Sequence, residues 1–258
     1  MSVLELEGIS KAFHQRTADA FLALDRVDLG VADGDFITIV GGNGAGKSTL
    51  LNMVSGAILP DAGVVRIDGE DVTGLVEEER AALVARVFQD PMRGTAPRMT
   101  VAENMMLAAK RGGKRGMRVS MNEERRREFA QALAPLGLGL EERLDTEIGV
   151  LSGGQRQSVA LIMATLKTPR LLLLDEHTAA LDPKTAKAVL EFTAEVVERE
   201  RLTAIMITHN LKDALAYGNR TIVMHHGRIV RDIAGAERAA MTDADLYQIL
   251  SDLAEADA

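Results

Sequence analysis

The sequence predicts an α/β fold: a parallel sheet with helices on both faces, an N-terminal antiparallel β-subdomain and an inserted helical subdomain. Three observations predict it. Four short segments, residues 36–40, 83–88, 171–174 and 204–207, are nearly all apolar, as strands covered on both faces must be. Residues 3–7 and 22–31 instead alternate roughly between apolar and polar side chains, the pattern of half-buried antiparallel strands. Between residues 91 and 166 the character turns helical, with helix-forming runs at 101–110 and 122–136.

These patterns divide the 258 residues into a core with its β-subdomain (1–90 and 167–235), a helical subdomain (91–166) and a helical tail (236–258). Within the tail, residues 241–253 read as a short amphipathic helix with Thr242 as its N-cap.

Composition narrows the function. A net charge of −8 argues against a general nucleic-acid binder, which would carry a basic surface. One basic patch stands out, Lys110, Arg111, Lys114, Arg115 and Arg118, broken by Gly112, Gly113 and Gly116. It reads as a solvated loop, with contact to phospholipid headgroups as the alternative. No cysteine is present, which excludes disulfides, thiol catalysis and Cys-ligated metals. Met1-Ser2-Val3-Leu4-Glu5 carries no basic segment followed by an apolar one, so no secretory signal is expected. No stretch approaches the ~20 apolar residues that cross a bilayer, so a membrane role would need a separate partner chain.

The first chemical motif follows the buried strand at 36–40. Gly41-Gly42-Asn43-Gly44-Ala45-Gly46-Lys47-Ser48, with Thr49 opening a helix-like run, fits the G-x-x-x-x-G-K-[ST] pattern of a phosphate-binding loop in the strand-loop-helix setting it requires. The glycines let backbone N–H groups wrap phosphate oxygens, and the helix start adds partial positive charge. Lys47 can then reach the outer phosphates, and the Ser48 hydroxyl can ligate Mg²⁺.

A second site ends the leucine strand at 171–174. Asp175 and Glu176 follow it directly, at the carboxyl end where parallel α/β sheets bind ligands. Such a pair can be a solvated strand end; beside a phosphate loop it suits Asp175 to hold Mg²⁺ and Glu176 to polarise an attacking water as general base. Two more buried strands run into Gln89 and His209 at the same edge. Gln89 could ligate the metal or position water, and His209 could contact a γ-phosphate while holding Glu176 in register. The last piece is Leu151-Ser152-Gly153-Gly154-Gln155, a capped helix start with exposed N–H groups and no lysine of its own.

Together these motifs resemble the ATP-binding cassette (ABC) family over nearly the whole chain. The resemblance makes residues 41–48 the Walker A motif of a P-loop NTPase with a RecA-like parallel core, Gln89 the Q-loop and 151–155 the signature motif. It makes 171–175 Walker B with Glu176 as catalytic base, Ala180-Leu181-Asp182 the D-loop and His209 the switch histidine. Phe13 stands where the family places an aromatic platform for adenine, with a core role as its alternative. His177 and Ala179 depart from the family's usual Pro and Ser without removing a catalytic group. The wording around Gln89-Asp90-Pro91, 177–186 and Thr208-His209-Asn210 is similar to importer cassettes of the tryptophan/tyrosine type.

What the resemblance implies is an Mg²⁺-dependent ATPase working as a head-to-tail homodimer, in which Ser152, Gly153, Gly154 and Gln155 of one chain complete the nucleotide site of the other. It further implies separate transmembrane permease subunits, an extracytoplasmic substrate-binding protein and a position on the cytoplasmic face of the membrane. Residues 91–101, beside Gln89, are then expected to line a groove for a permease helix. The alternatives are an exporter cassette and a non-transport ABC ATPase; a P-loop kinase or GTPase is contradicted by the signature motif.

Overall fold

The structure, a computed structural model, describes residues 2–14, 20–113 and 121–257. Its elements run, in chain order, β1 (Ser2–Phe13), β2 (Phe21–Ala32), β3 (Phe36–Val40), α1 (Lys47–Ser55), β4 (Ala62–Ile67), β5 (Glu70–Asp71) and α2 (Glu77–Arg80). Next come β6 (Val84–Val87), α3 (Val101–Ala108), α4 (Glu123–Leu133), α5 (Gly153–Thr165), β7 (Leu171–Asp175) and α6 (Pro183–Arg199). The chain closes with β8 (Ala204–Ile207), α7 (Leu211–Ala216), β9 (Arg220–His225), β10 (Arg228–Ala234), α8 (Gly235–Ala240) and α9 (Asp243–Glu255).

Among the described residues the strands form a four-stranded sheet in the order β2-β1-β4-β5 and a six-stranded sheet in the order β10-β9-β3-β8-β7-β6. The first is antiparallel throughout. In the second, β9, β3, β8, β7 and β6 are mutually parallel and only β10 runs against its neighbour. The four all-apolar segments are therefore β3, β6, β7 and β8, and the alternating segments are β1 and β2, as the patterning requires.

Strand alternation divides the core. Ile37, Ile39, Leu171, Leu173, Ile205 and Ile207 pack on one face with α1 and the antiparallel sheet. Leu172, Leu174, Ala204 and Met206 pack on the other with α3, α5 and α6. Full burial of each leucine, isoleucine or methionine among them is worth about 1.5–3 kcal/mol.

Helix ends follow local chemistry. Thr100, Ser152 and Thr242 each close a reciprocal capping box at the start of α3, α5 and α9, and Asn122 and Asp182 cap α4 and α6. The C-terminus of α1 is closed differently. Arg80, fully buried, donates to the carbonyls of Met53 and Val54 at 2.7 and 3.0 Å, so the helix that starts at the phosphate loop is pinned at its far end.

The basic patch resolves into two parts. Lys114, Arg115 and Arg118 lie outside the described residues. Arg111 is not a solvated or lipid-facing charge: its guanidinium donates to the carbonyls of Ala164 and Lys167, and burial lowers its pKa. The orphan carbonyls at the end of α5 attract the cation inward.

Candidate functional site

Because β3, β8, β7 and β6 are parallel neighbours, their carboxyl ends share one edge of the sheet. Gly41 follows β3, His209 follows β8 after Thr208, Glu176 follows β7, and Gln89 follows β6 after Phe88. The four strand ends expected to converge do converge.

The loop from Gly41 to Gly46 leaves Gly42, Asn43 and Gly44 exposed and folds Ala45 inward. Gly46 takes φ 96° as the residue before α1, and a Cβ there would stand 2.5 Å from the carbonyl oxygen of Ala23. Only glycine fits that turn. Lys47, Ser48 and Thr49 then occupy the first positions of α1, where N–H groups point outward and the macrodipole is positive. Lys47 is 5% exposed and its Nζ donates to the carbonyls of Gly41 and Gly42 at 2.8 and 2.9 Å. Burial lowers its pKa, and the charges of Glu176 and Asp175 oppose that shift, so the lysine lies in the field of both acids.

Glu176 adopts a left-handed backbone, φ 47°, at the corner after β7. That conformation costs a non-glycine residue roughly 1–3 kcal/mol and is concentrated at functional sites. It aims the carboxylate at the next strand end, where Nε2 of His209 lies 2.6 Å from Oε1. Asp175 points elsewhere: its Oδ2 accepts from Arg86 at 2.5 Å, and the two side chains are 14% and 8% exposed.

Arg86 is the residue sequence reasoning missed. It sits on β6 within a segment read simply as a buried strand, and a charge in a doubly covered strand must be paired. The same holds for Gln157, fully buried on α5, whose Nε2 donates to the carbonyl of Phe88 at 3.1 Å and so ties the signature helix to the residue before Gln89.

The signature segment contacts a different part of the chain. The capping box uses the N–H groups of Ser152 and Gln155, at 3.1 and 3.3 Å, so those of Gly153 and Gly154 remain at the start of α5. Gly154 has a second reason to be glycine: a Cβ would stand 2.2 Å from Cγ2 of Thr185 on α6. Phe13 is half-buried and stacks on the exposed Phe21, with centroids 5.4 Å apart, outside the apolar clusters of the core.

The ABC transporter family matches residues 24–179 of this chain. The chain belongs to that family. It is 41% identical over 246 residues to a tyrosine transport ATP-binding protein of Clostridioides difficile, covering 95% of this chain and 98% of that protein. It is 35% identical over 256 residues to an aliphatic sulfonates import ATP-binding protein of Burkholderia cenocepacia, covering 95% and 72%. Among solved structures, an ABC transporter cassette in its ADP conformation matches with TM-score 0.79 at 30% identity, covering 99% of this chain and 98% of that one. A dimeric cassette in a post-hydrolysis state, bound to ADP and phosphate, matches with TM-score 0.76 at 29% identity, covering 90% and 98%. The chain is thus an ABC-type ATPase, the ATP-binding subunit of a transporter.

His177, where the family commonly has proline, is 2% exposed and bonds through Nε2 to Oγ1 of Thr193 on α6 at 3.1 Å. Burial pushes its imidazole down to about 4 from 6.5. Its neutral form therefore stabilises the fold fully above pH 6.5, and that contribution, about 3 kcal/mol, is lost as pH falls toward 4. Unfolding midpoints measured across this window are expected to show wild type losing stability relative to His177→Leu as pH falls; parallel curves would count against the assignment.

Proposed function

We propose that this cassette energises import of a small solute through a separate membrane permease, using ATP bound between two copies arranged head to tail. The observation that carries the catalytic half is the shared sheet edge, where Lys47, Asp175 and the Glu176–His209 pair come together. Lys47 exchanges its two loop carbonyls for phosphate oxygens. Glu176 accepts the proton of the attacking water, and His209 orients that carboxylate and meets the γ-phosphate. Phe13 and Phe21 offer a stacking face to the adenine.

The donor set fits Mg²⁺. The Ser48 hydroxyl, the Gln89 amide and the Asp175 carboxylate are hard oxygens from three elements on one edge, and Asp175 already holds a cation in Arg86. When bound, the metal neutralises charge on the phosphates. The uncapped N–H groups at Gly153 and Gly154 suit the γ-phosphate held by the other copy.

Among the described residues no helix is long and apolar enough to cross a membrane. A groove of about 1170 Å³ supports docking on a partner that does: Pro91, Arg93, Gly94, Thr95 and Ala96 line it, opposite Leu107 and Met163. It is shorter along this loop than the expected 91–101: the lining ends at Ala96, and Thr100 and Val101 are taken up as the cap and first turn of α3. Relatives whose names carry import or tyrosine transport support uptake. In this reading the cassette works on the cytoplasmic face of the membrane, and an extracytoplasmic binding protein supplies the cargo. Co-expression with a multi-span membrane protein encoded beside it is expected to give a co-purifying complex whose ATPase drives uptake into vesicles. Failure to co-purify with any such protein, or ATP-driven efflux, would sink the import reading.

A further inference from the structure

Arg86 and Asp175 meet because of strand register. Arg86 pairs with Leu173 across β6 and β7, so Asp175, two residues on, projects from the same face, toward α1. The guanidinium divides its donors between Oδ2 of Asp175 at 2.5 Å and Oδ1 of Asn52 on α1 at 2.7 Å. Its plane lies over Phe88, 4.7 Å from the ring centroid, with Arg93 at 5.2 Å from the same ring. The Nε meets no acceptor among the described residues, so this arginine is held by its two oxygen partners and a ring rather than by a closed network.

A buried carboxylate without a cation carries a large desolvation cost, and a buried arginine next to a dication is repelled. The two cations therefore compete for one acid. We propose that Arg86 is a positioning residue for the reaction: a resident counter-ion that holds Asp175 in the metal-free cassette, yields that carboxylate when a magnesium nucleotide enters, and so sets how much divalent cation the site requires. This rests on the reading of Asp175 as a metal-holding residue. Asn52 and Phe88 give the displaced guanidinium a place to remain, so the exchange needs a side-chain shift and no strand movement.

The test is binding of a fluorescent, non-hydrolysable ATP analogue to the intact chain, titrated with MgCl₂ and repeated in EDTA. Arg86→Gln is expected to lower the magnesium concentration at half-saturation by about tenfold, because a neutral amide no longer competes. Affinity for the metal-free nucleotide should stay within about twofold of wild type, since Arg86 touches the acid and not the phosphate loop. Arg86→Lys, which keeps the charge and protects folding, should shift half-saturation about threefold in the same direction, because an ammonium cannot span both oxygens. A half-saturation unchanged or raised in both variants, or a metal-free affinity that shifts in parallel, overturns the inference. Asp175→Asn separates the two readings. If it removes the magnesium dependence while the Arg86 variants leave it unmoved, the inference alone falls. If magnesium dependence survives in Asp175→Asn, the metal reading of Asp175 falls and the inference with it.

Discussion

Glu176→Gln is expected to bind ATP as the wild type does and to turn it over about 10²–10⁴ times more slowly, the usual cost of removing a general base. The substitution keeps the shape at φ 47° and keeps an oxygen beside His209 Nε2, which lies 2.6 Å from Oε1 of Glu176. What it removes is the capacity to take a proton. Steady-state phosphate release gives the rate, and a sizing column with and without ATP gives the oligomeric state. ATP should hold the variant as a dimer, and adding Ser152→Arg, which fills the start of α5 with a bulky cation, should abolish that dimer. Wild-type turnover by Glu176→Gln would overturn the base assignment, and a dimer that survives Ser152→Arg would overturn the head-to-tail arrangement.

Lys47→Ala is expected to lose at least about 100-fold in nucleotide affinity, from two charge-assisted hydrogen bonds at about 1.5–3 kcal/mol each. The lysine already sits against the loop it serves, bonded to the carbonyls of Gly41 and Gly42 and in the field of Glu176 and Asp175. Removing it leaves two acids facing an incoming polyphosphate with less positive charge to offset them. Calorimetric titration with ATP and magnesium checks this, and an affinity within a few-fold of wild type would remove Lys47 from the site.

These two residues were legible early because their signals are local. A glycine-rich turn between an apolar strand and a helix start occupies about a dozen consecutive residues, and the apolar strand ending in two acids occupies only residues 171–176. The half-buried pattern of residues 3–7 and 22–31 marked β1 and β2 on the same grounds. Arg86 was not legible as a partner of Asp175, since the two lie 89 residues apart and meet only when β6 is laid beside β7. A warning was present nonetheless: one guanidinium in a strand covered on both sides requires an acid somewhere. Arg111 misled for the opposite reason, because a charge among glycines reads as solvated until the end of α5 is placed against it.

The phosphate loop, the acidic strand end, the capped signature helix and the order of buried and half-buried strands were determined by the sequence alone, because each depends on side chains within a turn or a strand of one another. Tertiary structure decided which charges those motifs face. Arg80 closes α1 from a distance of 27 and 26 residues, Gln157 secures Phe88 from 69, and Arg86 occupies Asp175 from 89. Each of these pairings is set by the order of strands in the sheet and the packing of helices upon it, and a buried polar group takes whichever partner that packing brings within hydrogen-bond reach.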